Sequence, residues 1–207
     1  MTRRTGMAMV AVAAASAGAS ADFIYQDAAN RPARDFIGLG FESIAAGSTM
    51  TALDFGDGVV ASVSTTGNIS NQIFSQTDGY GAVAAEGDRF WKLAGGTTTI
   101  DFGTTALVGL EFMYSDLEWA TLVLQFDNGA EVWLTDSNSG QPRLFGYSAD
   151  AGNPFSSVSI TWRGTQNDGV GFDVVQVATI PSPGTGPLFA AAGLLAIRRR
   201  RTRSAAA

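Results

Sequence analysis

The chain has 207 residues, 45% hydrophobic and 15% charged, with 13 Lys and Arg against 19 Asp and Glu and a formal net charge of −6. It contains no histidine and no cysteine. Disulfides, thiolate nucleophiles, zinc–thiolate and imidazole metal sites, and Ser-His-Asp or Cys-His catalysis are therefore excluded, leaving carboxylate chemistry, hard-cation binding through oxygen, and adhesion or scaffolding.

At the N-terminus, Met1-Thr2-Arg3-Arg4 is a positive opening and residues 7–19 form an apolar run of Ala, Val and Met. Ala19-Ser20-Ala21 supplies the small-x-small pattern that signal peptidase reads, so residues 1–21 are expected to be a signal helix, with Asp22 starting the mature chain. Thr5-Gly6-Met7 lacks the hydrophobic context of twin-arginine export, which points to general secretion.

The length suits one core, and residues 22–179 are expected to form it as an all-β domain. No 3.6-residue apolar stripe runs through this stretch, whereas period-2 alternation recurs. Val108, Leu110, Phe112 and Tyr114 alternate with Gly109, Glu111 and Met113, and Val158, Ile160 and Trp162 with Ser159 and Thr161. Breaks such as Gly56-Asp57-Gly58, Asp78-Gly79, Gly95-Gly96 and Asn167-Asp168-Gly169 separate short strands. That spacing predicts an antiparallel β-sandwich, jelly-roll-like in form.

One hairpin can be registered. Residues 121–126 and 130–135 flank Asp127-Asn128-Gly129, which fits a three-residue loop with Gly129 left-handed. That register sets Phe126 against Ala130, Leu124 against Val132 and Leu122 against Leu134 on one face. The other face carries Gln125 with Glu131, Val123 with Trp133, and Thr121 with Thr135. A two-residue loop would set Phe126 against Glu131, so the hydrophobic pattern selects the first register. Trp119 shares the polar face with Trp133, and this pair is the candidate ligand-binding surface; Trp91 and Trp162 read as core. A tryptophan pair on a polar sheet face is similar to the platform on which carbohydrate-binding modules stack flat sugar faces.

The acids offer no spacing that singles out a catalytic pair. Glu111, Glu118 and Glu131 are strand glutamates that would suit a glycosidase cleft or an exposed sheet face equally. No catalytic residue is assigned and the chain is expected not to be an enzyme, the rival being a jelly-roll carbohydrate-active enzyme on matrix polysaccharide. Gly40-Phe41-Glu42 and Gly171-Phe172-Asp173-Val174-Val175-Gln176-Val177 resemble the first and last strands of secreted jelly-roll modules. The resemblance implies a structural Ca²⁺ on Glu42 and Asp173, hard oxygen ligands for a hard cation; otherwise no cofactor is expected.

The C-terminal end opens with a Pro/Gly linker over residues 180–186, where Pro181, Ser182, Pro183 and Gly184 exclude helix and central strand. Residues 187–197 are apolar and run into Arg198, Arg199, Arg200 and Arg201. Eleven residues of helix rise about 16 Å, about half of a hydrocarbon core, which suits transient insertion better than permanent anchoring. The arginines would stay cytoplasmic. This order of proline turn, short apolar helix and arginine cluster, on a chain with a signal peptide, resembles the PEP-CTERM sorting signal, with Pro-Ser-Pro in place of the family's Pro-Glu-Pro. The resemblance implies an exosortase-type processing enzyme as partner and delivery to the cell surface or extracellular matrix, where polysaccharide is the expected second partner.

The two ends hold seven of the thirteen positive charges, so the body keeps six against all nineteen acids. Such a body does not bind nucleic acid by neutralising phosphates.

Overall fold

The computed structural model describes residues 22–67, 70–78, 81–117, 120–135, 140–164 and 169–180. The expected signal helix, the sorting residues Pro181, Ser182, Pro183 and Gly184, and the apolar helix with Arg198, Arg199, Arg200 and Arg201 lie outside the described residues. Among the described residues no α-helix occurs, only a 3-10 turn at Ala28–Asn30, and no helix is long and apolar enough to cross a membrane.

Thirteen strands follow in chain order: β1 (Phe23–Tyr25), β2 (Ile37–Leu39), β3 (Ala52–Asp54), β4 (Val60–Thr66), β5 (Ser70–Ser75), β6 (Arg89–Ala94), β7 (Thr97–Asp101), β8 (Leu107–Ser115), β9 (Ala120–Phe126), β10 (Glu131–Thr135), β11 (Arg143–Ser148), β12 (Ser157–Gly164) and β13 (Val170–Thr179). They form two antiparallel sheets. One has the order β1-β11-β8-β13-β6-β5, with β2 also paired to β13; the other has the order β10-β9-β12-β7-β4-β3. The expected antiparallel β-sandwich is what forms.

The period-2 pattern explains the core. Leu110, Phe112 and Tyr114 of β8 meet Leu122, Leu124 and Phe126 of β9 and Val158, Ile160 and Trp162 of β12 in one buried cluster. Phe112 anchors it, its ring 4.8 Å from that of Phe145 and 5.1 Å from that of Phe172. Trp91 and Trp162 are buried as expected. The Trp91 indole donates to Asn71 Oδ1 at 2.6 Å, and Asn71 Nδ2 donates to the Met50 carbonyl at 2.7 Å.

The hairpin of β9 and β10 has the expected register, Gln125 opposite Glu131, Leu124 opposite Val132, Val123 opposite Trp133 and Leu122 opposite Leu134. Its loop closes with Gly129 N–H on the Phe126 carbonyl at 3.0 Å, Gly129 having φ 94°. The last strand breaks its alternation at one point. Between Asp173 and Gln176 the pairing with β8 slips by one residue, a β-bulge that leaves Phe172, Val175 and Val177 all in the core. Val174 absorbs the slip at φ 49°, a conformation that a β-branched residue adopts only under constraint.

Candidate functional site

The two outer faces of the sandwich differ in what covers them. Over the seven-stranded sheet, the N-terminal segment is clasped to Glu111, whose Oε2 accepts from the Tyr25 hydroxyl at 2.8 Å and pairs with Arg31 Nε at 2.8 Å. The connection from β5 to β6 covers more of the same face. Val83 N–H donates to Ser115 Oγ at 3.0 Å, while Ala85 and Glu86 N–H donate to Asp173 Oδ2 at 2.9 and 2.8 Å.

Among the described residues no such clasp lies over the outer face of the six-stranded sheet, which is polar. Its rows follow from the strand registers: Trp133, Val123, Thr161, Thr97 and Thr66 form one, and Glu131, Gln125, Ser159, Thr99 and Ser64 the next. Hydroxyls bond across strands, Thr97 with Thr161 at 3.0 Å and Thr99 with Ser159 at 2.9 Å. Serine and threonine fit here because a pleated, half-exposed surface favours β-branched residues and cross-strand hydroxyl pairs.

Trp133 stands at one end of this face, 55% exposed. Its indole N–H donates to Glu131 Oε1 at 2.6 Å, and Glu131 Oε2 accepts from Gln125 Nε2 at 2.9 Å. The Arg163 guanidinium lies 5.0 Å from the indole centroid, within cation–π range. Val123, its partner across the strands, is 2% exposed although it belongs to the outer face. The ring is held by a polar bond at its edge, with Val123 as its cross-strand neighbour. These same bonds, from Trp133 first and then Gln125, hold the Glu131 carboxyl below the usual glutamate range, with Arg163 adding to the effect.

Trp119 lies outside the described residues, as does Glu118. The remaining strand glutamates are not brought together. Glu111 is on the covered face of one sheet and Glu131 on the bare face of the other, with the core between them. They do not form the facing carboxylates that glycoside hydrolysis needs.

The structure does bring Glu42 and Asp173 to one loop. Glu42 Oε1 accepts from Asp88 and Arg89 N–H at 2.9 and 2.8 Å, beside the loop amides that Asp173 binds. Burial pushes the Asp173 carboxyl above the usual aspartate range, three backbone N–H bonds oppose the push, and the charge of Glu42 adds to it. Both carboxylates thus serve as acceptors for the β5–β6 connection. Among the described residues no group of three or more Asp, Glu, His or Cys converges on a metal position. The hydroxyl array is the part sequence reading missed. Its signal was present in alternating Ser and Thr along β4, β7 and β12, but which face stays bare depends on distant segments.

No protein-family model matches the chain, and no curated protein matches it. Solved structures with a similar arrangement include the K2 cleaved adhesin domain of Lys-gingipain, at 12% identity over 70% of this chain and 100% of that one, TM-score 0.48. Another is TmCBM61 in complex with β-1,4-galactotriose, at 10% identity over 68% and 94%, TM-score 0.45. A third is the C-terminal family 22 carbohydrate binding module of Clostridium thermocellum Xyn10B, at 13% identity over 70% and 93%, TM-score 0.38. At such TM-scores the likeness says nothing of a ligand; the residues of the bare face must.

Proposed function

We propose that the domain is a non-catalytic, exported glycan-binding module that uses the bare face of the six-stranded sheet. The observation that carries this reading is the combination on that face of an exposed, edge-fixed indole with rows of hydroxyls and one amide. A sugar ring offers an apolar face and a rim of hydroxyls. The indole matches the first, and Thr97, Thr99, Ser159, Thr161 and Gln125 match the second, with little net charge. The alternation of β6 to β13 between the sheets, in the orders β6-β13-β8-β11 and β7-β12-β9-β10, supports a jelly-roll reading of the sandwich.

The reading is tested by affinity electrophoresis or calorimetry of the protein against neutral polysaccharides, wild type beside Trp133→Ala. Retention that the substitution abolishes while the melting temperature holds supports it; no retention of the wild type on any glycan removes it.

Export and sorting complete the proposal. Signal cleavage before Asp22 and exosortase-type processing near Pro181, Ser182 and Pro183 would leave the acidic body at the cell surface or in the matrix, after brief membrane insertion of the tail. Calcium at Glu42 and Asp173 is proposed on one ground, the mutual repulsion of two carboxylates that a divalent cation would relieve. A melting temperature lowered by chelation supports that ion, and an unchanged one removes it.

A further inference from the structure

The connection from β5 to β6 enters the fold at Asp78. The Asp78 side chain is 0% exposed, and its Oδ1 accepts from Gly81 and Ala82 N–H, both at 3.2 Å. Its Oδ2 is in direct contact with Nζ of Lys92, a β6 residue whose side chain is 8% exposed. The lysine side of the contact is aromatic and tightly shaped. Lys92 Nζ lies 5.3 Å from the centroid of the Phe74 ring, which stacks on Phe90 at 5.9 Å. Gly169 makes room for the lysine stem, since a Cβ there would sit 2.2 Å from Lys92 Cε. On the other side a second fully buried carboxyl, Asp116, packs against Gly81, where a Cβ would lie 2.3 Å from Asp116 Oδ1.

A primary amine and a carboxyl held in contact, away from water, are the two halves of an amide. Fixing both partners on packed elements replaces a bimolecular encounter by a positioned one and excludes the water that would reverse the reaction. Burying the pair as ions carries a desolvation cost that a neutral amide lacks. We propose that Lys92 and Asp78 are joined by an intramolecular isopeptide bond. In this step Nζ passes one ammonium proton to Asp78 Oδ2, and the amine lone pair attacks Cγ. The Nζ–Cγ bond forms, the Cγ–O bond breaks, and the departing hydroxyl takes a second Nζ proton and leaves as water. An ammonium and a carboxylate become one amide and one water, with no oxidant or other reactant. A chain with no cysteine gains in this way a covalent staple that no reductant opens, and it fastens to β6 the segment that covers the outer face.

The test is mass spectrometry of the full chain after denaturation and trypsin. Arginines at 34, 89 and 143 bound two segments, 35–89 with Asp78 and 90–143 with Lys92. The bond predicts that these segments remain joined, uncut at Lys92, and lighter by one water than their sum. Separate segments, with cleavage at Lys92 and full mass, would overturn the proposal and leave an ion pair. Asp78→Asn should give a joined species of the same mass by losing ammonia instead, whereas Lys92→Arg should give separate segments. The wild-type digest decides the matter even if a variant fails to fold.

Discussion

Trp133 shows how one side chain can be both exposed and fixed. Glu131 holds its N–H and the Arg163 guanidinium lies near its ring, so little conformational entropy is left to lose when a flat ligand stacks on it. Trp133→Ala is expected to weaken glycan binding by about tenfold or more, the scale of an aromatic hot spot. The melting temperature should move little, because the side chain is more than half exposed. Tyr147 gives a pH prediction. Burial, with the charge of Asp22 acting in the same direction against an opposing bond from Asn128, pushes its hydroxyl from 10.0 up to about 12. A phenol with a higher pKa in the fold stabilises the fold fully below its unfolded value and loses that contribution as pH rises through the folded one. Stability should therefore decline between about pH 10 and 12, and absorbance titration should show Tyr147 ionising later than a free tyrosine. Ionisation at the ordinary value would contradict the half-buried Tyr147–Asp22 contact at 2.9 Å.

At the scale of elements, the β9–β10 hairpin and the inner faces of β8, β9 and β12 were legible because local signals agreed. Gly129 fixed the loop, and the register that put Leu122, Leu124 and Phe126 on one face was the one that could be buried. Phe112→Ala is expected to cost about 3 to 5 kcal/mol, measurable by chemical denaturation, whereas Gly129→Ala should cost about 1 kcal/mol through its left-handed backbone. What was not legible came from segments far apart in sequence. The bulge at Val174 arises because β13 must keep Phe172 and Val175 both inward, a demand that appears only once β8 lies beside it. The covering of Glu111 by Tyr25 and Arg31 joins residues eighty or more positions apart, beyond the reach of any periodicity. Asp173 was noticed in the sequence as an acid near a strand end; its work of holding Ala85 and Glu86 needed the loop to be placed. Replacing it by Ala should release that loop, seen as faster amide exchange at Ala85 and Glu86, while unchanged protection there would contradict the role.

For the whole molecule, the separation of a covered face from a bare one organises the account. One sheet is overlaid by the N-terminal segment and the β5–β6 connection; on the other no described segment is clasped over the Ser, Thr, Gln125 and Trp133 rows. Residues 22–180 carry six positive charges against nineteen acids, a balance that disfavours polyanions and directs the expectation toward neutral glycans. The central claim is that this bare face binds them. Its most direct test is titration of the protein with neutral polysaccharides while Trp133 fluorescence is followed in a variant whose other three tryptophans, Trp91, Trp119 and Trp162, are replaced by Phe. A saturable change in emission that the further substitution Trp133→Phe abolishes is the predicted result. Saturable glycan binding, seen by calorimetry, that leaves Trp133 emission untouched would place the site elsewhere and contradict the claim.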